Sequence, residues 1–393
     1  MDFKSANQLR LAAALESPGK GVSDKVMRSM SASFRAAANE MRSLAARKGT
    51  IYLRYHNDGD GICAALCIKL ALESIGATVA SKPSQGATYL ESEAFSDGAF
   101  LASKPGKPVA VFLDFATNSE SARALASLKS GTLGISIISI DHHPPAPEIS
   151  QVCGLCVNQH SAGADVNYSA GILASKIAIL IVGADSPHAA FFNDLGALSL
   201  ACDKSSLAPK SQDLERLAFA LDFSATSKRA GFRLQDALLL LTNTEEFMTA
   251  WAYAQEMFME IEPFYESASQ KKTMGKVEFH SLNLDYLRKK SRSLPPSRII
   301  DFYFWRLVQA NPDTPIAVVG FSDRLVTFRA NKEAVACGFR SDQVIGEIKK
   351  SMQSGIEGGG GHASAASIRM ASGLGAVVEE LAMKAIAAML VPA

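Results

Sequence analysis

A chain of 393 residues is too long for one ordinary hydrophobic core, so two domains are expected. With 48% apolar and 20% charged residues it has an ordinary soluble globular profile, and a net charge of +1 excludes a global basic footprint for nucleic acid, leaving only a local patch. The longest apolar stretches, around Ile177–Ala184 and Ala385–Leu390, fall short of the roughly 20 residues that span a bilayer. The N-terminus, with Asp2, Lys4 and Arg10 ahead of any apolar block, carries no leader pattern, and a soluble cytoplasmic protein is expected. Six cysteines show no framework spacing, and Cys153-Gly154-Leu155-Cys156 has no second pair to complete a four-ligand zinc site, so free thiols are expected.

In chain order, residues 1–48 read as amphipathic helix that Ser17-Pro18-Gly19-Lys20-Gly21 breaks in two, suited to packing or an interface. Ile51-Tyr52-Leu53 predicts a strand over 50–55, and a helix follows to about Ile75 with Cys63 and Cys67 at core positions. Between them stands His56-Asn57-Asp58-Gly59-Asp60-Gly61, which sets three metal-ligating side chains at i, i+2 and i+4. Carboxylate oxygens with an imidazole suit manganese or magnesium better than a thiolate-loving metal. Packing such groups beside a buried strand is costly unless a cation neutralises them. Thr78–Ser81 predicts a short strand, and the polar stretch from Pro83 to Lys107 reads as loop with minor structure.

Val109–Leu113 is a continuous apolar run ending in Asp114, the pattern of a strand buried on both faces. After a helix over Ser119–Lys129, Ile135–Ile140 runs into Asp141-His142-His143. Strands and helices in alternation predict a parallel sheet with flanking helices. Ligands bind beyond the carboxyl ends of such strands, so the three polar clusters are expected on one sheet edge. A mostly helical region follows from Ser169 to about Tyr265, in which Asp194–Cys202 is an apolar helix closing on Asp203. A negative charge at that end of a helix favours a compensating cation.

Residues 244–268 read as a connecting helix. From Lys271 to Arg298, Lys271, Lys272, Lys276, Arg288, Lys289, Lys290, Arg292 and Arg298 stand against only Glu278 and Asp285, a local basic stretch. Residues 316–320 and 324–330 read as paired strands, 342–351 as a helix, and 366–370 as a short strand before an amphipathic terminal helix. Glu357-Gly358-Gly359-Gly360-Gly361-His362 reads as a loop whose bare backbone amides suit a phosphate.

With these residues in view, the chain resembles the DHH phosphoesterase superfamily, and within it the RecJ-like single-strand exonucleases and short-oligonucleotide phosphodiesterases. The resemblance runs from about residue 50 to 370 and rests on five segments in order: His56-Asn57-Asp58-Gly59-Asp60-Gly61, Asp114, Asp141-His142-His143, Asp203, and Gly359-Gly360-Gly361-His362. It departs at Asn158-Gln159, where relatives often carry Asn-Pro, and at Cys63, where Ser or Thr is common. The resemblance implies an α/β fold: a parallel-sheet DHH catalytic domain with flanking helices, and a smaller α/β C-terminal substrate-binding domain. The implied boundaries are an N-terminal helical extension at 1–48, the catalytic domain at 49–243, a linker at 244–270 and the DHH-associated domain at 271–393.

It further implies two divalent cations, Mn2+ above all and Mg2+ second. One would be held by His56, Asp58 and Asp114, the other by Asp60, the shared Asp114, His142 and Asp203. His143 would contact the phosphate or protonate a departing group, with Asp141 orienting it. Arg329, Gly359, Gly360, Gly361 and His362 would grip substrate. The implied activity is hydrolysis of single-stranded DNA or RNA to nucleoside monophosphates. The alternatives are a short-oligoribonucleotide or cyclic-dinucleotide phosphodiesterase and, from a different class, a non-catalytic scaffold of a replication complex. Replication or repair proteins are the implied partners, and the basic stretch from Lys271 to Arg298 would be a candidate track for a single-stranded backbone.

Overall fold

The structure, a computed structural model, describes residues 11, 25–104, 106–131, 134–164, 167–228, 231–291, 294–352 and 354–390. The expected helix before Ser17 and the basic residue Arg292 lie outside the described residues. The chain divides into two units, residues 1–251 and 252–393.

In the first unit, helices α1 (Lys25–Ser29) and α2 (Ser31–Ala46) lead to β1 (Thr50–His56), α3 (Gly59–Ser74), β2 (Thr78–Ser84) and α4 (Glu91–Ala102). Then follow β3 (Val109–Leu113), α5 (Ser119–Gly131), β4 (Ser136–Ile140), α6 (Ile149–Val152) and β5 (Leu155–Val157). Helices α7 (Ala170–Val182), α8 (Ala189–Cys202), α9 (Gln212–Lys228), α10 (Leu234–Thr242) and α11 (Thr244–Ile261) complete it, the boundary falling within α11. All five strands are parallel, in the order β2-β1-β3-β4-β5.

Alternation along these strands feeds two cores, as a sheet covered on both faces requires. Ile51, Leu53, Val109, Val111, Leu113 and Ile138 pack into a core with residues of α2, α3, α7 and α8. Tyr52, Ala110, Phe112 and Ile137 point the other way, into a second core with residues of α4 and α5. The carboxyl ends of β1, β3 and β4 are aligned by register, Tyr55 beside Leu113 and Leu113 beside Ile140. His56, Asp114 and Asp141 therefore leave the sheet side by side, as the alternation of elements predicts.

Two local expectations change. The stretch from Pro83 to Lys107 is not loop: it contains α4, whose buried face is Ala94, Asp97 and Leu101. Phe95, 83% exposed, and Gly98 break the apolar rhythm, and the buried face carries a charge, so no helical stripe shows in the sequence. The strand at Thr78 also runs on to Ser84 through Pro83, because β2 is an edge strand, where a proline costs no ladder hydrogen bond.

The second unit continues from α11 through α12 (Tyr265–Ala268), β6 (Ser269–Met274), β7 (Val277–Asn283), α13 (Leu284–Lys290) and α14 (Pro296–Ala310). It closes with β8 (Ile316–Phe321), β9 (Leu325–Ala330), α15 (Lys332–Ala336), α16 (Ser341–Ser351), β10 (Ile356–Gly361), β11 (Ala365–Met370) and α17 (Gly375–Leu390). Its sheet is mixed, in the order β10-β11-β9-β8-β7-β6, with β7 and β8 parallel and every other pair antiparallel. Val326, Phe328, Ile368, Val344, Ile348, Val378 and Ile386 form its core.

Here the glycine run departs from the expected loop. It is the edge strand β10, paired to β11 with a bulge between Ile356 and Gly358. A Cβ at Gly359 would stand 2.7 Å from Ser367 O, and one at Gly361, whose φ is +143°, would stand 2.3 Å from Ala365 O. Glycine is needed there for close approach of the neighbouring strand, a role that carries no periodic signal. His362 follows in the turn to β11.

Candidate metal centre

His56 ends β1, and the chain turns at once into α3. Asp58 is the N-cap of that helix, accepting a hydrogen bond from Gly61 N at 3.0 Å. Glycines make the turn tight enough: a Cβ on Gly61 would meet His56 O at 2.2 Å, and one on Gly59 would meet Cys202 Sγ at 2.4 Å. His56 Nδ1 lies 2.6 Å from Asp58 Oδ2 and 3.5 Å from Asp114 Oδ2.

Asp114 follows β3 in the left-handed region at φ 65°, a conformation a non-glycine residue holds only at a cost of about 1–2 kcal/mol. Such strain gathers at functional sites. The backbone turn is fixed by Asp114 N donating to Ile140 O at 3.0 Å. Its Oδ1 is buried and accepts no hydrogen bond, and stands 3.3 Å from His142 Nε2. That imidazole nitrogen is also 3.2 Å from Asp203 Oδ2 and 3.8 Å from Asp60 Oδ2.

Asp60 is almost completely buried and is held by groups that nothing in the sequence singles out. Ala170 N donates to its Oδ2 and Gly171 N to its Oδ1, both at 2.7 Å, from the N-terminus of α7. Ser199 Oγ donates to Oδ1 at 2.6 Å. Ser199 stands four residues before Asp203 on α8, so one helix face fixes Asp60 and presents Asp203. The DHH segment is anchored in the same manner. Asp141 is fully buried and accepts from Thr117 Oγ1 at 2.8 Å, while its Oδ1 binds His143 through both N at 2.9 Å and Nδ1 at 2.7 Å. Asn158 Nδ2 donates to His143 O at 2.8 Å and Gln159 Nε2 to His142 O at 2.6 Å. The Asn-Gln departure therefore supplies two clamps on the motif.

Two donor sets result, His56–Asp58–Asp114 and Asp60–His142–Asp203, each with its ligand atoms within 4.8 Å of one another, and Asp114 adjoins both. Their electrostatics are those of anions lacking a counterion. Burial, with the neighbouring Asp60 and Asp58 charges, pushes Asp114 well above the usual carboxylate range. Burial likewise raises Asp203 well above it, against the pull of His142, and Asp60 is raised by burial too. Burial would lower His56, but Asp58 and Asp114 more than offset it and hold the imidazole well above its ordinary value; Asp203 and Asp60 do the same for His142. Burial would raise Asp58 as well, but His56 outweighs it and holds that carboxyl below the usual range. Asp141, likewise buried, is drawn down to about 2 by His143. Four carboxylates and two imidazoles, one buried oxygen without a donor, and a strained backbone at the shared aspartate fit hard divalent cations.

The signs give a test. Asp60, Asp114 and Asp203 keep protons in the folded chain that the unfolded chain releases near pH 4, so the metal-free protein loses stability as pH rises past that value. The raised His56 and His142 contribute stability below about pH 6.5 and lose it as pH passes their folded values. Asp58 and Asp141 act oppositely, losing their contributions as pH falls below about 4. Between about pH 5 and 8 the Tm in chelator should therefore fall, and saturating Mn2+ should flatten or reverse the slope, because cation binding selects the deprotonated ligands. Parallel Tm–pH curves with and without metal would contradict a cation site here.

The residues expected at the substrate lie in the second unit. Arg329, on β9, donates from Nε to Asp301 Oδ1 at 2.5 Å and from Nη1 to Thr327 Oγ1 at 3.2 Å, and Arg298 shares the same carboxylate at 3.0 Å. Gly359, Gly360 and Gly361 lie on β10, with His362 just after it. The basic stretch is partly neutralised: Lys271 pairs with Glu278 at 2.7 Å, and Arg298 with Asp301. Lys272, Arg288, Lys289 and Lys290 are exposed, with Lys290 5.0 Å from the centre of the Phe264 ring.

Residues 48–185 match the family model described as the DHH family, N-terminal domain. An uncharacterised protein of Methanocaldococcus jannaschii is 23% identical over 381 residues, covering 82% of this chain and 50% of its own, so the chain spans about half the length of that relative. Among solved structures, a DHH domain described as a member of the S1p family of ribosomal proteins matches with a TM-score of 0.79 at 18% identity, over 98% of this chain and 96% of its own. RecJ from Thermus thermophilus in complex with Mn2+ matches at 0.57 and 15% identity, over 90% and 54%. CDC45 from Entamoeba histolytica matches at 0.56 and 11% identity, over 90% and 99%. At such identities these structures speak for the fold. Among the described residues no helix is long and apolar enough to cross a membrane.

Proposed function

We propose, from the match of residues 48–185 to the DHH family, N-terminal domain, that the chain is a DHH-superfamily protein acting as a cytoplasmic, divalent-metal-dependent phosphodiesterase that hydrolyses single-stranded nucleic acid to nucleoside monophosphates. The observation that carries this reading is the meeting of two His/Asp donor sets around Asp114. His56, Asp58 and Asp114 would hold one cation, and Asp60, Asp114, His142 and Asp203 the other, with Mn2+ preferred over Mg2+. Cations bound there would make water nucleophilic near neutral pH and offset charge on the phosphoryl oxygens.

The chain's own residues supply the rest. His143 is held at Nδ1 by Asp141, and its imidazole would donate to a phosphoryl oxygen or to the departing oxygen. Thr117 fixes that carboxylate in turn. Arg329, pre-oriented by Asp301, and the backbone of Gly359–Gly361 with His362 are the proposed grip on the strand, since amides without side chains and a fixed guanidinium both suit phosphate. The exposed Lys289 and Lys290 would extend that grip along a longer strand.

The test is digestion of end-labelled DNA and RNA, from dinucleotides to long oligomers, in Mn2+, Mg2+ or chelator, with a cyclic dinucleotide alongside. A ladder of mononucleotide steps that disappears in chelator is expected. Turnover confined to dinucleotides or to the cyclic substrate would replace the exonuclease reading. Metal binding without turnover of any substrate would replace it with a scaffold role.

A further inference from the structure

The Cys153-Gly154-Leu155-Cys156 segment has no part in the chemistry above, and the structure gives it a defined setting. Cys153 is the C-cap of α6 and is buried, its N–H donating to Ile149 O at 2.9 Å. Cys156, half-buried, is the central residue of β5. The two thiols are hydrogen-bonded to each other. Among the described residues no third ligand joins them, so the pair is not part of a metal cluster.

What lies on either side gives the pair its leverage. Strand β5 is a three-residue edge strand that pairs only with β4. Val157 O, at its end, accepts from Asp141 N at 3.1 Å. The next two residues are Asn158 and Gln159, whose amides clamp the carbonyls of His143 and His142. The backbone of the Asp141-His142-His143 segment is therefore tied at three points to the three residues that follow Cys156.

We propose that Cys153 and Cys156 form a reversible disulfide whose closure shifts β5 and loosens the clamp on the DHH segment, making the metal centre sensitive to peroxide. Closing a thiol contact to a bond of about 2.05 Å draws Cys156 toward the end of α6, and a three-residue edge strand offers little to resist the pull. The hydrogen bond from Cys153 also lowers the Cys156 thiol and raises that of Cys153, which makes the half-buried Cys156 the attacking sulfur. The Cys156 thiolate attacks hydrogen peroxide, the O–O bond breaks, hydroxide leaves, and Cys156 becomes a sulfenic acid. The Cys153 sulfur then displaces the sulfenic oxygen as water, losing its proton as the S–S bond forms. Two thiols have given up two electrons and two protons, and the peroxide has become two waters.

The disulfide stands by itself, while its coupling to the metal centre rests on the metal-binding reading above. The full-length chain, reduced or treated with hydrogen peroxide, is mapped by non-reducing peptide mass analysis and titrated calorimetrically with Mn2+. Peroxide should remove two hydrogens from the peptide carrying both cysteines and weaken Mn2+ binding about ten- to hundredfold, the range seen when a ligand's supporting hydrogen bonds are lost. A thiol reductant should restore both, and Cys153→Ser with Cys156→Ser should leave affinity indifferent to peroxide; if that variant does not fold, the oxidation–reduction cycle on the native chain decides. Failure of the Cys153–Cys156 bond to form, or its formation with unchanged Mn2+ affinity, would overturn the proposal. Absence of Mn2+ binding in the reduced chain would instead overturn the metal reading. Hydrogen exchange at the His142 and His143 amides then decides the coupling: faster exchange after oxidation supports it, and unchanged exchange refutes it.

Discussion

Asp114→Asn should abolish hydrolysis, lowering kcat/KM by about 10⁴ or more, or roughly 5.5 kcal/mol of transition-state stabilisation. Asp114 is the one carboxylate that adjoins both donor sets, with Oδ2 3.5 Å from His56 and Oδ1 3.3 Å from His142. Its loss should therefore remove both cations, where Asp58→Asn or Asp203→Asn would each weaken one. Asparagine tolerates the left-handed backbone that residue 114 adopts, and the substitution replaces a carboxyl whose ionisation burial and its neighbours oppose. The metal-free variant should accordingly be at least as stable as the parent, which separates a lost site from a lost fold. Metal analysis with calorimetric unfolding reads both quantities. A variant that keeps two bound cations and a tenth or more of its activity would refute the shared-carboxylate arrangement.

The largest effect on stability is expected at Asp97. Arg54 is fully buried on β1, two residues before His56, and its guanidinium donates to Asp97 Oδ2 at 2.7 Å and to Glu93. Asp97 also accepts from Tyr52 Oη at 2.8 Å, Tyr89 Oη at 3.0 Å and Lys82 Nζ at 3.0 Å. Asp97→Ala would leave a buried cation with one remaining carboxylate and strand two buried tyrosine hydroxyls. Removing one partner of a buried pair costs about 3–5 kcal/mol, and urea denaturation should show that loss. Replacing both charges, Arg54→Met with Asp97→Leu, should recover much of it, because no uncompensated charge remains. An Asp97→Ala cost below about 1 kcal/mol would show that Arg54 finds another way to be solvated.

What could be read in the sequence follows the physics of each signal. Strands β1, β3 and β4 are covered on both faces, so each is a near-continuous apolar run, and a polar cluster at the end of each is conspicuous. Buried groups that act through single hydrogen bonds, from a backbone amide or a hydroxyl, leave no such trace. Ser199, Ala170 and Gly171 hold Asp60 from segments more than a hundred residues away, and Thr117 holds Asp141 in the same way. Nothing in their spacing marks them. Helix α4 is illegible for a related reason: its inward face is organised around Asp97, and periodicity detects only apolar faces. The glycines of β10 read as a loop because a strand without side chains has no alternation to display.

The second sheet has two free margins, and they are protected by different means. Along β6, Lys271 and Lys272 project charge where an approaching strand would have to pair. Along β10 the four glycines offer no side chain, and what interrupts the ladder is the bulge after Ile356, beside Glu357, with Lys349 Nζ donating to Gly359 O at 2.8 Å. Lysines deter edge pairing by the cost of burying their charge, whereas a bulge deters it by spoiling register. Crowding or partial unfolding would therefore test the glycine margin first, and any strand-to-strand association between copies of this chain would begin there.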